Sequence, residues 1–281
     1  MAKKDWRLIQ TWDLDGFRNM AIDEALMLSH CLHPHTLPVL RFYTWKPAGF
    51  SLGYSQDPER EFNLELMQQD NIYFVRRITG GGIIFHDDEL TYSLCCFPQE
   101  LSFKGGVRES YKYLCAFILE GYRRLGLKAD FACQHSFQAL GRFHSFCFWG
   151  REHYDIVIDE RKIGGNAQRR KKNFIFQHGS IPFSFNSRIL KYLNLEDRDI
   201  FSKKITVLDE YLKIEKRELL QVLKLTFAEV FSVRLWQDGL SKEEEHLAQV
   251  LYEKKYTTPV WNRNRLSLEG EFRSPSQVLE R

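Results

Sequence analysis

The chain has 281 residues, 43% of them hydrophobic and 14% aromatic, so it can bury a sizeable core in one or two domains. A formal net charge of +3 is too weak to mark a nucleic-acid binder, and the six cysteines, at 31, 95, 96, 115, 133 and 147, have neither CxxC spacing nor a regular framework, which argues against zinc and against a disulfide scaffold. No stretch approaches the ~18 apolar residues of a membrane span, and the first residues lack the apolar run of a signal peptide, so a cytoplasmic chain with reduced thiols and no metal, membrane or nucleic-acid partner is expected.

Residues 6–12 predict a first strand. Asp15-Gly16 turns it, and 19–30 has helical spacing, with Met20, Ala21, Ala25, Leu26 and Leu28 apolar. Residues 40–45 alternate as a strand, 62–70 read as a short helix and 72–75 as a strand leading to Gly80-Gly81-Gly82. Residues 83–85 and 90–97 read as paired strands around the turn His86-Asp87-Asp88-Glu89. A long amphipathic helix follows at 107–125, stopped by Gly126. Strands are predicted at 129–133, 145–148, 154–158, 162–168 and 173–181, and helices at 216–231 and 241–253. Several strand pairs are joined by turns too short for a parallel crossover, so the expected fold class is α+β with mixed or antiparallel sheets flanked by helices. No Pro/Gly/Ser linker divides the chain. One main domain, 1–240, is expected, with a short helical C-terminal extension, 241–281, that is not an independent domain.

Four segments carry candidate chemistry. Three successive glycines after Arg76-Arg77-Ile78-Thr79 cost backbone entropy, and make sense where the main chain approaches something closely or takes positive φ. Exposed N–H groups in such a turn can cradle an anion or a carbonyl oxygen; a plain tight turn between strands is the alternative. In Lys162-Ile163-Gly164-Gly165-Asn166-Ala167 the small residues leave room beside the backbone, although a lysine at a strand start is usually solvated. A hairpin turning at Glu160-Arg161 would pair Lys162 with Asp159. Cys147, among Phe146, Phe148 and Trp149, is an inert core thiol or, beside a cation, a nucleophile; local sequence does not decide. Arg169-Arg170-Lys171-Lys172 reads as a solvated hairpin tip or a docking site for an acidic protein, and His178 as a satisfied core histidine or a site residue.

Together these segments resemble the lipoate and biotin protein ligase superfamily. The likeness runs through Asn19-Met20-Ala21-Ile22-Asp23-Glu24-Ala25-Leu26, Arg41-Phe42-Tyr43-Thr44-Trp45 and Ser51-Leu52-Gly53-Tyr54-Ser55-Gln56, and is strongest in 76–87 and 162–181. Within the superfamily, His86-Asp87-Asp88-Glu89-Leu90-Thr91-Tyr92-Ser93 is similar to the LipM-type octanoyltransferases, as is a Cys147 placed before Lys162. Their glycine turn often ends in arginine, where this chain has the more ligase-like Gly82. The resemblance implies the catalytic-domain fold of that superfamily. It also implies transfer of an octanoyl group from octanoyl-acyl carrier protein to the lysine of a lipoyl domain, typically the glycine cleavage H protein, without a cofactor. Cys147 would be the acyl-carrying nucleophile and Lys162 the cation that favours its thiolate. Arg77, Thr79, Gly80, Gly81, Gly82, His86, Gly164 and Gly165 would bind substrate. An ATP-dependent lipoate–protein ligase and a non-catalytic module that docks carrier or lipoyl domains are the alternatives.

Overall fold

The computed structural model describes residues 3–134, 154–171, 174–195 and 203–266. In chain order it contains β1 (Lys4–Leu14), α1 (Gly16–Leu32), β2 (Val39–Trp45), β3 (Gly49–Leu52), α2 (Pro58–Glu61), α3 (Leu64–Gln69), β4 (Phe74–Arg76), β5 (Ile84–His86), β6 (Glu89–Cys96), α4 (Val107–Arg124) and β7 (Ala129–Phe131). Then follow β8 (Ile156–Ile158), β9 (Arg161–Ile163), β10 (Gly165–Lys171), β11 (Phe174–Pro182), β12 (Ile205–Thr206), α5 (Lys216–Val230), β13 (Val233–Asp238), α6 (Lys242–Leu251) and α7 (Pro259–Asn264). The expected strand at 145–148, and Cys147 with it, lie outside the described residues.

The main sheet has the order β10-β11-β6-β2-β1-β13. Its β1 runs parallel to β2 and β13, while β2–β6, β6–β11 and β10–β11 are antiparallel, so the expected mixed α+β fold is what forms. Side chains alternate across a strand, and here both faces are covered. Leu40, Phe42, Leu90 and Leu94 enter one core, under Phe117 of α4 and Leu223 and Phe227 of α5. Val39, Tyr43 and Cys95 enter the other, under Met20, Ile22 and Leu26 of α1 and Leu247 and Leu251 of α6. This is why β2 and β6 are buried at every position. The helices start where their caps predict: Asp15 accepts from the Arg18 N–H before α1, and Ser241 and Glu244 form a capping box before α6.

Three sequence expectations change. Residues 83–85 and 90–97 do not pair with each other. Instead β5 joins β3 and β4 in a three-stranded sheet, whereas β6 lies in the main sheet, so residues 87–88 carry the chain from one sheet to the next. The single strand expected at 162–168 is two: β9 belongs to a four-stranded sheet, β12-β9-β8-β7, and β10 to the main sheet. They break at Gly164, whose φ of 79° suits glycine and where a Cβ would lie 2.3 Å from the Ser180 carbonyl oxygen. Finally, the β8–β9 turn is Asp159-Glu160, both at positive φ, which suits a two-residue hairpin. That register pairs Lys162 with Val157, not with Asp159. Strand β13 has no clear signature in sequence because, as an edge, it is mostly exposed.

Candidate active site

Strand β4 ends on buried Arg76, and buried Arg77 follows it directly on the way to the glycine turn. Arg77 donates to the carbonyls of Gly80, at 3.1 Å, and Gly82, at 2.8 Å, so its guanidinium ties the turn together. Gly81 has φ 89°, and its carbonyl packs so close to Gly53 that a Cβ there would lie 1.8 Å away. Both physical reasons for glycine, positive φ and close approach, therefore hold. Gly80 and Gly81 are exposed and Gly82 is buried.

Arg77 also lines a cleft between the three-stranded sheet and the main sheet, of about 260 Å³ with its open solvent included. Its apolar walls are Met20, Tyr43, Trp45, Ile84 and Ala167, with Gly165 and Gly179 leaving depth. Arg77, His86 and His178 supply its polar part. Of the expected binding residues, Arg77, His86 and Gly165 thus reach one wall. Thr79 touches that wall through His178, and Gly164 sets the bend that brings Gly165 to it.

Each histidine sits between a hydroxyl and a carboxylate. His86 Nε2 is 2.6 Å from Ser51 Oγ, and its Nδ1 is 2.7 Å from Glu89 Oε1. Arg77 donates to the same Ser51 hydroxyl at 2.7 Å, the Thr91 and Ser180 hydroxyls donate to Glu89, and the His86 ring stacks on Trp45 with centroids 3.7 Å apart. His178 Nε2 is 2.7 Å from Thr79 Oγ1, and its Nδ1 is 3.6 Å from Asp23 Oδ2. Burial holds His178 below the ordinary histidine range, with Asp23 offsetting part of the effect. Burial also opposes the charge of Asp23. Its partners Arg41 at 2.6 Å, His178 and Ser93 at 2.7 Å win, and leave it below the ordinary carboxylate range. The set is then a neutral imidazole over a fixed anion. His178, which local sequence reads more readily as a satisfied core histidine than as a site residue, is both satisfied and part of the wall.

Lys162 is buried rather than solvated, with its Nζ 2.7 Å from Asp155 Oδ2. The register explains the pair: Val157 faces Lys162, and Asp155 lies two residues along on the same face. Lys162 belongs to the four-stranded sheet and lies outside the wall formed by Arg77, His86 and Gly165. Burial, followed by the nearby Asp155, pushes the Cys115 thiol far above the ordinary range, which makes that cysteine unreactive. Ser51, Glu89, Trp45, Asp23 and Asp155 were not singled out from sequence. Ser51, Glu89, Trp45 and Asp23 fall inside the quoted motifs, but nothing local marks them as partners of the site.

Glu89 also borders a second cleft, of about 430 Å³ with its open solvent included, with Phe85, Asp87, Phe185, Ile205 and Val207. Burial and the adjacent Asp88 raise the pKa of Asp87 there. Among the described residues no group of three or more His, Cys, Asp or Glu could hold a metal, and no helix is long and apolar enough to cross a membrane. Chemically, the first cleft sets apolar side chains beside a buried guanidinium, two imidazoles and the Thr91 and Ser180 hydroxyls, the mixture of apolar wall and few polar groups that ligand sites use.

A family model described as the lipoyl protein ligase A/B catalytic domain matches residues 15–228. Octanoyltransferase LipM of Bacillus subtilis (strain 168) is 35% identical over 281 residues, covering 94% of this chain and all of the relative. Octanoyltransferase LipM of Brevibacillus brevis is 34% identical over 276 residues, covering 93% of this chain and all of the relative. Among solved structures, a lipoate-protein ligase A bound with ATP superposes with a TM-score of 0.77 at 24% identity, over 95% of this chain and all of that one. The bipartite lipoate protein ligase of Thermoplasma acidophilum follows with a TM-score of 0.76 at 23% identity, over 95% of this chain and 98% of that one. These two likenesses concern the fold alone.

Proposed function

Because the chain belongs to the lipoyl protein ligase A/B catalytic-domain family, we propose that it is an octanoyltransferase of protein lipoylation, taking octanoyl from octanoyl-acyl carrier protein to the lysine of a lipoyl domain such as the glycine cleavage H protein. One observation carries this reading: similarity to LipM octanoyltransferases over nearly the whole of both chains. The catalytic unit is residues 1–240, with 241–281 as an extension.

In the first step the Cys147 thiolate attacks the thioester carbonyl carbon, and the tetrahedral intermediate expels the carrier thiolate, which takes a proton. In the second, the neutral lysine amine attacks the octanoyl-Cys147 thioester. The C–N bond forms, the C–S bond breaks, and the amine's proton ends on the released thiol. A thioester is converted to a more stable amide, so no ATP is required. A free cysteine, with a pKa of about 8.5, is only partly thiolate at neutral pH, and Lys162 supplies the cation that favours it. The slot lined by Met20, Ile84 and Ala167 takes the acyl tail, at roughly 0.8 kcal/mol per buried CH₂. Arg77, Thr79, Gly80, Gly81, Gly82, His86, Gly164 and Gly165 shape its polar end.

Intact-mass spectrometry after incubation with octanoyl-acyl carrier protein tests this. An octanoyl adduct that disappears in Cys147→Ser supports it, and undiminished transfer in that variant sinks it. The triple glycine favours a second reading, an ATP-dependent lipoate–protein ligase. ATP consumption with free lipoate or octanoate, indifferent to Cys147→Ser, would decide for that.

A further inference from the structure

The family match ends at residue 228, yet the backbone carrying the glycine turn is held from well beyond that point. Helix α7 sits on the end of β4. Trp261 Nε1 donates to the Arg76 carbonyl at 2.9 Å, and the Arg76 N–H donates to Asn262 Oδ1 at 2.8 Å. The Arg76 guanidinium is fully buried and bonded to carbonyls on two sides. On one side are Trp261 at 3.2 Å, Asn262 at 2.9 Å and Arg263 at 3.2 Å. On the other are Gly53 at 3.1 Å, Tyr54 at 2.9 Å and Gln56 at 2.7 Å. Burial lowers its pKa to about 10, so it remains a cation at neutral pH. Its planar fork therefore joins the C-terminal segment to the loop after β3.

That junction lies one residue from the cleft. Arg77 follows Arg76 directly, lines the cleft and holds Ser51 and the carbonyls of Gly80 and Gly82. Gly53, whose carbonyl Arg76 grips, is the residue against which Gly81 packs. Asn262 is itself fixed, donating to the carbonyls of Tyr256 at 2.6 Å and Thr258 at 3.1 Å. Removing the Asn262 amide would leave a buried Arg76 N–H without its acceptor, at the point where the chain turns into the cleft wall.

We propose that Trp261 and Asn262 are positioning residues of the cleft: α7 clamps Arg76, and the clamp holds Arg77 and the glycine turn in place. The effect on catalysis rests on the acyl-transfer reading; the mechanical effect does not. The full-length chain is compared as wild type, Asn262→Ala, Trp261→Phe and Tyr256→Phe. The last is a control from the same segment that breaks a bond to Glu24 instead. Amide hydrogen exchange of residues 76–82 and KM for octanoyl-acyl carrier protein are measured. Asn262→Ala should speed exchange in 76–82 and raise KM about tenfold, with kcat changing far less. Trp261→Phe should do both to a smaller extent, and Tyr256→Phe neither. Unchanged exchange in 76–82 in both clamp variants overturns the proposal, as does an equal KM change in Tyr256→Phe. If Asn262→Ala fails to fold, Trp261→Phe against Tyr256→Phe decides. A wild type without acyl transfer refutes the functional reading, while the exchange comparison still decides the clamp.

Discussion

Replacing Asp155 by Asn while keeping Lys162 separates what this pair does for the fold from the chemical role proposed for Lys162. The two side chains are 3% and 1% exposed and 2.7 Å apart. Burying a charge is tolerable when it is paired, and breaking such a pair from one side typically costs ~3–5 kcal/mol because the remaining charge stays buried. Removing both charges with residues of similar volume is often nearly neutral. Asp155→Asn and Lys162→Met should therefore each lower stability by ~3–5 kcal/mol, and the double variant should recover most of that loss. At ~2–4 °C per kcal/mol for a chain of this size class, the single variants should melt about 6–20 °C below wild type. Urea unfolding followed by fluorescence gives the cycle. The telling protein is the double variant, which should be stable and yet inactive in acyl transfer under the proposed mechanism, in which Lys162 is the cation that favours the thiolate. Single variants that lose no more than the ~0–1 kcal/mol of a surface pair would refute the reasoning. So would a double variant that loses the full sum of the two.

Two glycines, one in the glycine turn and one packed against it, should respond oppositely to alanine. At Gly80 a Cβ meets open space, so Gly80→Ala should keep wild-type stability, whereas at Gly53 it would meet the Gly81 carbonyl at 1.8 Å and should displace the turn, with octanoyl transfer falling by ~10-fold or more. Equal activity in the two variants, measured with the carrier thioester, would count against the turn's place in the site. For pH, burial lowers the pKa of His178 from its ordinary 6.5, so below that value the unfolded chain binds a proton that the folded chain does not. Stability should then rise with pH between the folded pKa and about 6.5, and be lost on acidification through that window. His178→Gln should flatten this slope in urea midpoints taken from about pH 5 to 7; an unchanged slope would assign it to other groups.

The elements of this fold were largely legible in sequence because their signals are local. The apolar spacing of α1 and of α4, the alternation of β2 and the capping residues before α1 and α6 depend on neighbours a few positions away. The glycine turn was legible for the same reason: three glycines require positive φ or close approach, and the structure shows both. What local signals could not decide was pairing. The short segment 86–89 reads as a hairpin turn but passes between two sheets, since β5 has a better partner in β3 and β6 has one on each side. The site itself is made of such distant choices. Ser51 meets His86 across 35 positions, Thr79 meets His178 across 99, and Arg76 meets Asn262 across 186. Lys162 shows both halves of the lesson. Its small neighbours at 164, 165 and 167 suggested a wall, and Gly165 and Ala167 do line the cleft. Its own burial against Asp155 followed from the register of a turn one residue away from the one the sequence suggested. A one-residue shift in a strand pair changes which side chain stands opposite, and only the packed sheets select among those registers.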